Sequence, residues 1–185
     1  MPALKLSKEE IINIAIGVFR TKGYHSTSMD DLAKACGLRK GSFYHHFKDK
    51  EALMHAVLDT VHGYFKYKIF SIAYDEDLTA EERLTKILTK SKRLFIEMDG
   101  GCIFGNMVLE TIGISNDFKD KIKLFFDDWA VAMAHIYEDK YSKKEAMRIA
   151  KQSIADWEGA VMMMQLYDDK QYILDTADRI AQKLK

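Results

Sequence analysis

An all-α fold is predicted by three observations. Apolar residues recur at three- and four-residue spacing along most of the 185 residues. Turn residues are scarce: Pro2 is the one proline and glycines number ten, too few for the many turns of a β-rich fold. Ser7-Lys8-Glu9-Glu10, Thr79-Ala80-Glu81-Glu82 and Ser142-Lys143-Lys144-Glu145 each read as a capping box, the signature of a helix start. With 48% hydrophobic and 30% charged residues the chain has the profile of a folded protein with a real core, not of a disordered one.

About nine helices are expected. Behind the first box, Ile11, Ile12, Ala15, Val18 and Phe19 form one face, and Gly23 ends the helix. Thr27 or Ser28 caps a short helix with Met29, Leu32, Ala33 and Cys36, which Gly37 stops. Another short helix covers about residues 40–47. Lys48-Asp49-Lys50 interrupts the pattern, and a long helix runs from about Lys50 to Tyr74 with Leu53, Val57, Val61, Phe65 and Ile69. Leu84, Ile87, Leu88, Leu94 and Phe95 follow the second box. Asp99-Gly100-Gly101 is the strongest break, and an apolar helix then runs from Cys102 to about Ile114. Ser115 or Asn116 caps the next, with Ile122, Phe125, Phe126, Trp129, Met133 and Ile136. The third box opens a helix with Ile149, Ile154, Trp157, Val161 and Met164, and a last helix covers about residues 169–184.

Several function classes are disfavoured. Cys36 and Cys102 cannot build a disulfide framework and suit a reducing cytosol. No stretch approaches the roughly 20 apolar residues of a membrane span, and MPALKLSKEE lacks the features of a signal peptide, so a cytoplasmic location is expected. No phosphate-binding loop, dinucleotide motif or nucleophile elbow is present. The six histidines make no His-x-x-x-His pair or Cys/His cluster, so no metal site is expected. Asp127-Asp128 and Asp168-Asp169 are neighbours that diverge by about 100° on a helix. Neither catalytic residues nor a cofactor are expected, and the chain does not read as an enzyme.

The two short helices around Gly37 match a helix-turn-helix. Ala33 is small where the helices cross, and Gly37 tolerates the positive φ of the turn. Leu32, Leu38, Phe43 and Phe47 make a small core beneath. Arg39, Lys40, Gly41, Ser42, Tyr44, His45 and His46 are left for an outer face that is basic, aromatic and hydroxyl-bearing, as a phosphate-lined groove requires.

From Phe19 to Leu53 the chain reads FRTKGYHSTSMDDLAKACGLRKGSFYHHFKDKEAL. This resembles the DNA-binding signature of TetR-family transcriptional regulators, with an F-x-x-x-G-[FY]-x-x-[ST]-[ST] entry, a turn in which Leu32-Ala33 replaces the commoner Ile-Ala, and a G-x-[FL]-Y-x-[HY]-F-x-x-K-[ED]-x-L exit. The resemblance implies a helix-turn-helix DNA-binding domain over 1–50 and a helical ligand-binding and dimerisation domain over 51–185. It implies that Arg39, Lys40, Gly41 and Ser42 open the recognition helix and that Tyr44, His45 and His46 face DNA. Thr27, Lys48 and Lys50 would meet phosphates. The implied partners are a pseudo-palindromic double-stranded operator, a second copy of the chain and a small-molecule effector. The family's commoner role is repression, with effector binding shifting the spacing of the DNA-binding heads.

For the dimer surface the candidates are Ala155, Gly159, Met162, Met163 and Leu166, with Tyr172, Ile173 and Ala177; intrachain packing competes for each. For the effector cavity they are Phe65, Ile69, Cys102, Phe104, Met107, Phe125, Trp129, Met133, Trp157 and Met164, with ordinary core packing as the alternative. Gly100-Gly101-Cys102-Ile103-Phe104-Gly105-Asn106 is similar to a segment in a branch of TetR-like regulators, some of which sense electrophiles or oxidants through this cysteine; a small buried hydrophobe is the plainer reading. Glu110, charged within an apolar stretch, reads either as a ligand for a cation or as a paired surface residue. A helical protein-interaction module whose motif does not bind DNA is the competing function.

The net charge of zero at first argues against a nucleic-acid binder. Its distribution reverses that. Residues 1–50 hold nine Lys/Arg against five Asp/Glu, and residues 51–185 hold 19 against 23. The neutral total is a basic head cancelled by an acidic body, and His25, His45 and His46 add to the head.

Overall fold

The computed structural model describes residues 6–113 and 115–185. The first five residues and Ile114, the expected end of the sixth helix, lie outside the described residues. Those described form nine α-helices and a 3-10 turn: α1 Lys8–Lys22, α2 Met29–Ala35, α3 Lys40–His46, α4 Lys50–Lys68, the 3-10 turn Phe70–Tyr74, α5 Ala80–Glu97, α6 Ile103–Thr111, α7 Lys119–Tyr137, α8 Lys143–Tyr167 and α9 Gln171–Gln182. No strand occurs among them.

The chain divides into two compact units. The first combines residues 1–61 with 103–122. In it α1 packs on α2 and α6, and α2 on α3. Ile11, Ala15, Phe19, Leu32, Phe43, Leu53, Met54, Phe104 and Met107 are almost fully buried. Each of the larger side chains contributes about 1.5–3 kcal/mol by leaving water, set against the conformational entropy lost on ordering the chain.

The second unit combines residues 62–102 with 123–185. Here α9 packs on α8 and α5, and the 3-10 turn packs on α5. Its core has an aromatic part, in which Phe65 meets Phe70, Phe95 and Phe125, and Trp129 stacks on Phe70 and Phe126. The buried Tyr137 donates to or accepts from Ser153 at 3.2 Å. Burial pushes the Tyr137 phenol up to about 12, so it stays neutral.

Four local expectations change. The long helix does not reach Tyr74. It ends at Lys68, and the chain tightens into the 3-10 turn, which buries Phe70, Ile72 and Ala73. Lys90 Nζ reaches the freed Lys68 carbonyl at 3.4 Å, and Arg83 holds the carbonyls of Asp75 and Ala73. The seventh helix starts at Lys119, later than a cap at Ser115 or Asn116 implies, because Ser115 forms a local turn with Asp117. The third capping box is half made. Ser142 accepts from Glu145 N, but the Glu145 carboxylate turns to Arg148 at 2.7 Å instead of reaching back. Finally, Asp49 is a cap and not merely a break: its Oδ1 accepts from Ala52 N at 2.7 Å and starts α4.

Candidate nucleic-acid interface

The helix-turn-helix is fixed by local hydrogen bonds. Ser28, not Thr27, caps α2, and it forms a box with Asp31. Asp31 N donates to Ser28 Oγ at 3.1 Å, while Ser28 N and its hydroxyl donate to Asp31 Oδ2 at 3.0 and 2.6 Å. These bonds, with help from Lys22, hold the Asp31 carboxyl far below the usual range. At the turn, Gly37 takes φ +63° and donates to Lys34 O, and Leu38 N donates to Ala33 O at 2.9 Å. Phe43 and Phe47 are buried beneath α3.

Packing Phe43 and Phe47 inward turns the intervening residues outward. Arg39, Lys40, Gly41, Ser42, Tyr44 and His45 are exposed, and His46 is half-buried. All but His46 of the residues expected on the outer face therefore lie on open surface. Lys40 Nζ is paired with Asp30 at 2.8 Å. The pair is exposed, so it is weak and phosphate can compete for it. Lys48 is open to solvent, 3.7 Å from Asp49.

Two of the expected phosphate contacts sit differently. Thr27 is 1% exposed, and its hydroxyl donates to Gly23 O at 2.6 Å. It locks the loop before α2 instead of facing outward, because Ser28 takes the capping position. Lys50 Nζ donates to Tyr24 O at 2.7 Å and lies 4.3 Å over the Tyr24 ring. Burial lowers its pKa, partly offset by Glu110. The entry loop of residues 23–25 also meets Glu110 of α6. Neither expected role of Glu110 describes it, since its carboxylate accepts the backbone N–H groups of Tyr24 and His25.

In the second unit a narrow, largely apolar pocket is lined by Ile87, Leu88, Ser91, Trp129, Met133, Ser153, Ile154, Trp157 and Ile180. It brings together Trp129, Met133 and Trp157 of the ten cavity candidates. Phe65, Ile69, Cys102 and Phe125 are buried in the same unit without lining it, and Met164 is half-buried. Phe104 and Met107 belong to the core of the first unit. Trp157 Nε1 is buried with no hydrogen-bond partner. One residue on, Glu158 is hydrogen-bonded by Cys102, yet its Oε1 is sealed from solvent and unpartnered. Burial pushes the Glu158 carboxyl up to about 7, with Cys102 opposing. Cys36 is buried in the first unit, and burial pushes its thiol up.

Of the dimer candidates, Ala155, Met162 and Leu166 are exposed on α8, while Gly159, Met163 and Tyr172 are half-buried. Ile173 and Ala177 are a correction. They are 0% and 1% exposed, because the apolar face of α9 is already covered by its own chain, and they have no surface left for a partner.

Sequence reasoning passed over Glu158, Asp49 as a cap, and the α5 and α9 side of the pocket. Glu158 carried a signal, a lone carboxylate between Trp157 and the apolar run that follows. The pocket wall carried none, since its residues repeat like any core face.

A basic, hydroxyl- and aromatic-bearing helix on a helix-turn-helix defines a DNA-binding regulator. Residues 11–57 match the model of the bacterial regulatory proteins of the tetR family, and residues 80–179 that of the LmrA/YxaF-like transcriptional regulator C-terminal domain. The chain belongs to the TetR family and is a DNA-binding transcriptional regulator. It is 25% identical over 174 residues to the transcriptional regulator AcuR of Cereibacter sphaeroides, covering 89% of this chain and 79% of that one. It is 25% identical over 166 residues to the HTH-type transcriptional repressor DhaR of Mycobacterium sp., covering 86% and 82%. Its fold matches a TetR transcriptional regulator from Legionella pneumophila with a TM-score of 0.89 and 24% identity, covering 100% of both chains. These relatives are named as transcriptional regulators. No helix among the described residues is long and apolar enough to cross a membrane.

Proposed function

We propose that this regulator is a cytoplasmic repressor that binds a pseudo-palindromic operator as a homodimer and releases it when a small molecule enters the second unit. The observation that carries the reading is the outer face of α3, where Arg39, Lys40, Ser42, Tyr44 and His45 stand exposed above buried Phe43 and Phe47. Arg39, Lys40 and Ser42 suit base edges in the major groove, with Gly41 allowing close approach. Tyr44, His45, His46 and Lys48 suit the flanking phosphates. Lys50 acts through the loop it holds. Functionally, residues 1–50 are the DNA-binding head and 51–185 the sensing and dimerising body. The exposed strip of Ala155, Met162 and Leu166, with Gly159, Met163 and Tyr172, supports pairing through α8 and α9.

Two features of the body support a sensing role. The pocket at Trp129, Met133 and Trp157 is apolar and narrow, which suits an apolar effector that widens it on entry. The second feature is Cys102. Its thiol is hydrogen-bonded to Glu158, whose carboxylate would take the thiol proton as the sulfur attacks an electrophile. The relative named as a repressor supports repression over activation.

The test selects bound duplexes from a random pool and measures their affinity against salt. A palindromic consensus and a steep loss of affinity with salt are expected. A chain that retains no duplex is instead a protein-interaction module. Electrophile treatment of wild type and Cys102→Ser then separates the two sensing routes, since equal DNA release by both removes Cys102 from the mechanism.

A further inference from the structure

The loop that enters the helix-turn-helix is gripped by a carboxylate from α6. Glu110 Oε1 accepts from Tyr24 N at 3.1 Å and Oε2 from His25 N at 2.9 Å. The Glu110 carbonyl oxygen lies 3.0 Å from His25 Nε2. The fit is close. Gly23 has φ +81°, and a Cβ there would stand 2.8 Å from Oε1 and 3.0 Å from Oε2. From the other side Lys50 Nζ takes the Tyr24 carbonyl, and the Thr27 hydroxyl takes the Gly23 carbonyl. The backbone polar groups of this loop are thus held from α6, from α4 and from Thr27. Ser28, the cap of α2, follows directly, and α2 packs on α3.

A carboxylate in a DNA-binding unit works against the phosphates at long range. Its local bonds act in the opposite direction, because charge-assisted hydrogen bonds to backbone N–H groups are about twice as strong as neutral ones. An unbraced loop would have to be ordered when DNA binds, and that entropy would be taken from the affinity. We propose that Glu110 is a positioning residue for DNA recognition: it fixes the loop at Tyr24 and His25, so that α2 and α3 are already set in the free protein. The inference rests on the reading that the outer face of α3 contacts DNA.

The two effects of Glu110 have opposite signs, which makes the test sharp. The full chain is titrated with a duplex selected as above, and wild type is compared with Glu110→Ala and the near-isosteric Glu110→Gln. Positioning predicts affinity about tenfold weaker for Glu110→Ala. Glu110→Gln falls between, since its amide oxygen keeps one acceptor. The slope of log affinity against log salt stays unchanged, because no phosphate contact is lost. The Tyr24 and His25 amide protons move upfield in Glu110→Ala. Tighter binding by both variants, with the gain erased at high salt, would mean that Glu110 acts only as a charge and would overturn the proposal, as would unchanged affinity. If Glu110→Ala does not fold, Glu110→Gln carries the same contrast of sign. Arg39→Ala and Tyr44→Phe are run alongside. If neither weakens binding, the assignment of α3 as the contact face fails, while the sign of the Glu110 effect still decides the positioning role.

Discussion

The two units put their chemistry in opposite places. In the first, the side chains proposed to meet DNA stand on the surface and the buried residues support them. In the second, the chemistry is inside: an apolar pocket, a buried indole N–H without a hydrogen-bond partner, and a carboxyl with one sealed oxygen, hydrogen-bonded by a thiol. The contrast follows from the ligand. Duplex DNA is large, charged and external, so a few side chains on one short helix can reach it. A small molecule has to be enclosed, and the proposed effector pocket is assembled from α5, α7, α8 and α9, which are far apart in sequence.

The largest way to break the contrast is through the support of the head. Phe43→Ala removes a fully buried ring under α3. It is expected to cost about 3–5 kcal/mol in denaturant melts and to abolish DNA binding, although Phe43 itself does not face outward.

Next is Glu158. Its ordinary pKa is 4.5 and burial raises it to about 7. Between those values the folded chain keeps a proton that the unfolded chain has released. Stability therefore falls as pH rises through that window, by on the order of 3 kcal/mol in all. In Glu158→Gln this decline is expected to flatten, so that the variant is the more stable chain at pH 8 by thermal melting. An identical pH profile in wild type and variant would place no buried carboxyl in the body.

Gly23→Ala tests the head's entry loop. Positive φ and the approach to Glu110 both exclude a side chain there. A loss of about 1–3 kcal/mol in stability is expected, together with weaker DNA binding. Smaller in stability but specific in effect are Arg39→Ala and Tyr44→Phe. Each is expected to leave melting unchanged and to weaken operator binding, Arg39→Ala by about 1–3 kcal/mol. Neither should alter the protection or reactivity of the body.

The same contrast governs what was legible in the sequence. Ser7–Glu10, Gly37 and the buried set Leu32, Phe43 and Phe47 lie within one capping box and one helix-turn-helix, so spacing alone reveals them. The outer face of α3 follows from these by elimination. Where two local bonds compete, the pattern is ambiguous: Thr27 and Ser28 both read as caps, and only the three-dimensional loop shows that Thr27 turns inward to Gly23. The body resists reading for another reason. Ile173 and Ala177 on α9 look like any apolar face, and nothing local says whether their own chain or a second copy covers them. Glu110 bridges the two cases. It stood out as a charge in an apolar stretch, but its partners lie some 86 residues earlier in the chain.

The central claim is that the exposed face of α3, together with Lys48 just beyond its end, meets DNA phosphate and base edges. The most direct measurement is the salt dependence of operator affinity for wild type and for Lys48→Ala, whose ammonium stands open to solvent. A linear fall of log affinity with log salt is predicted, with a slope shallower by about one in Lys48→Ala at every operator sequence. A flat salt response in the wild type, or superimposable slopes for the two chains, would contradict it.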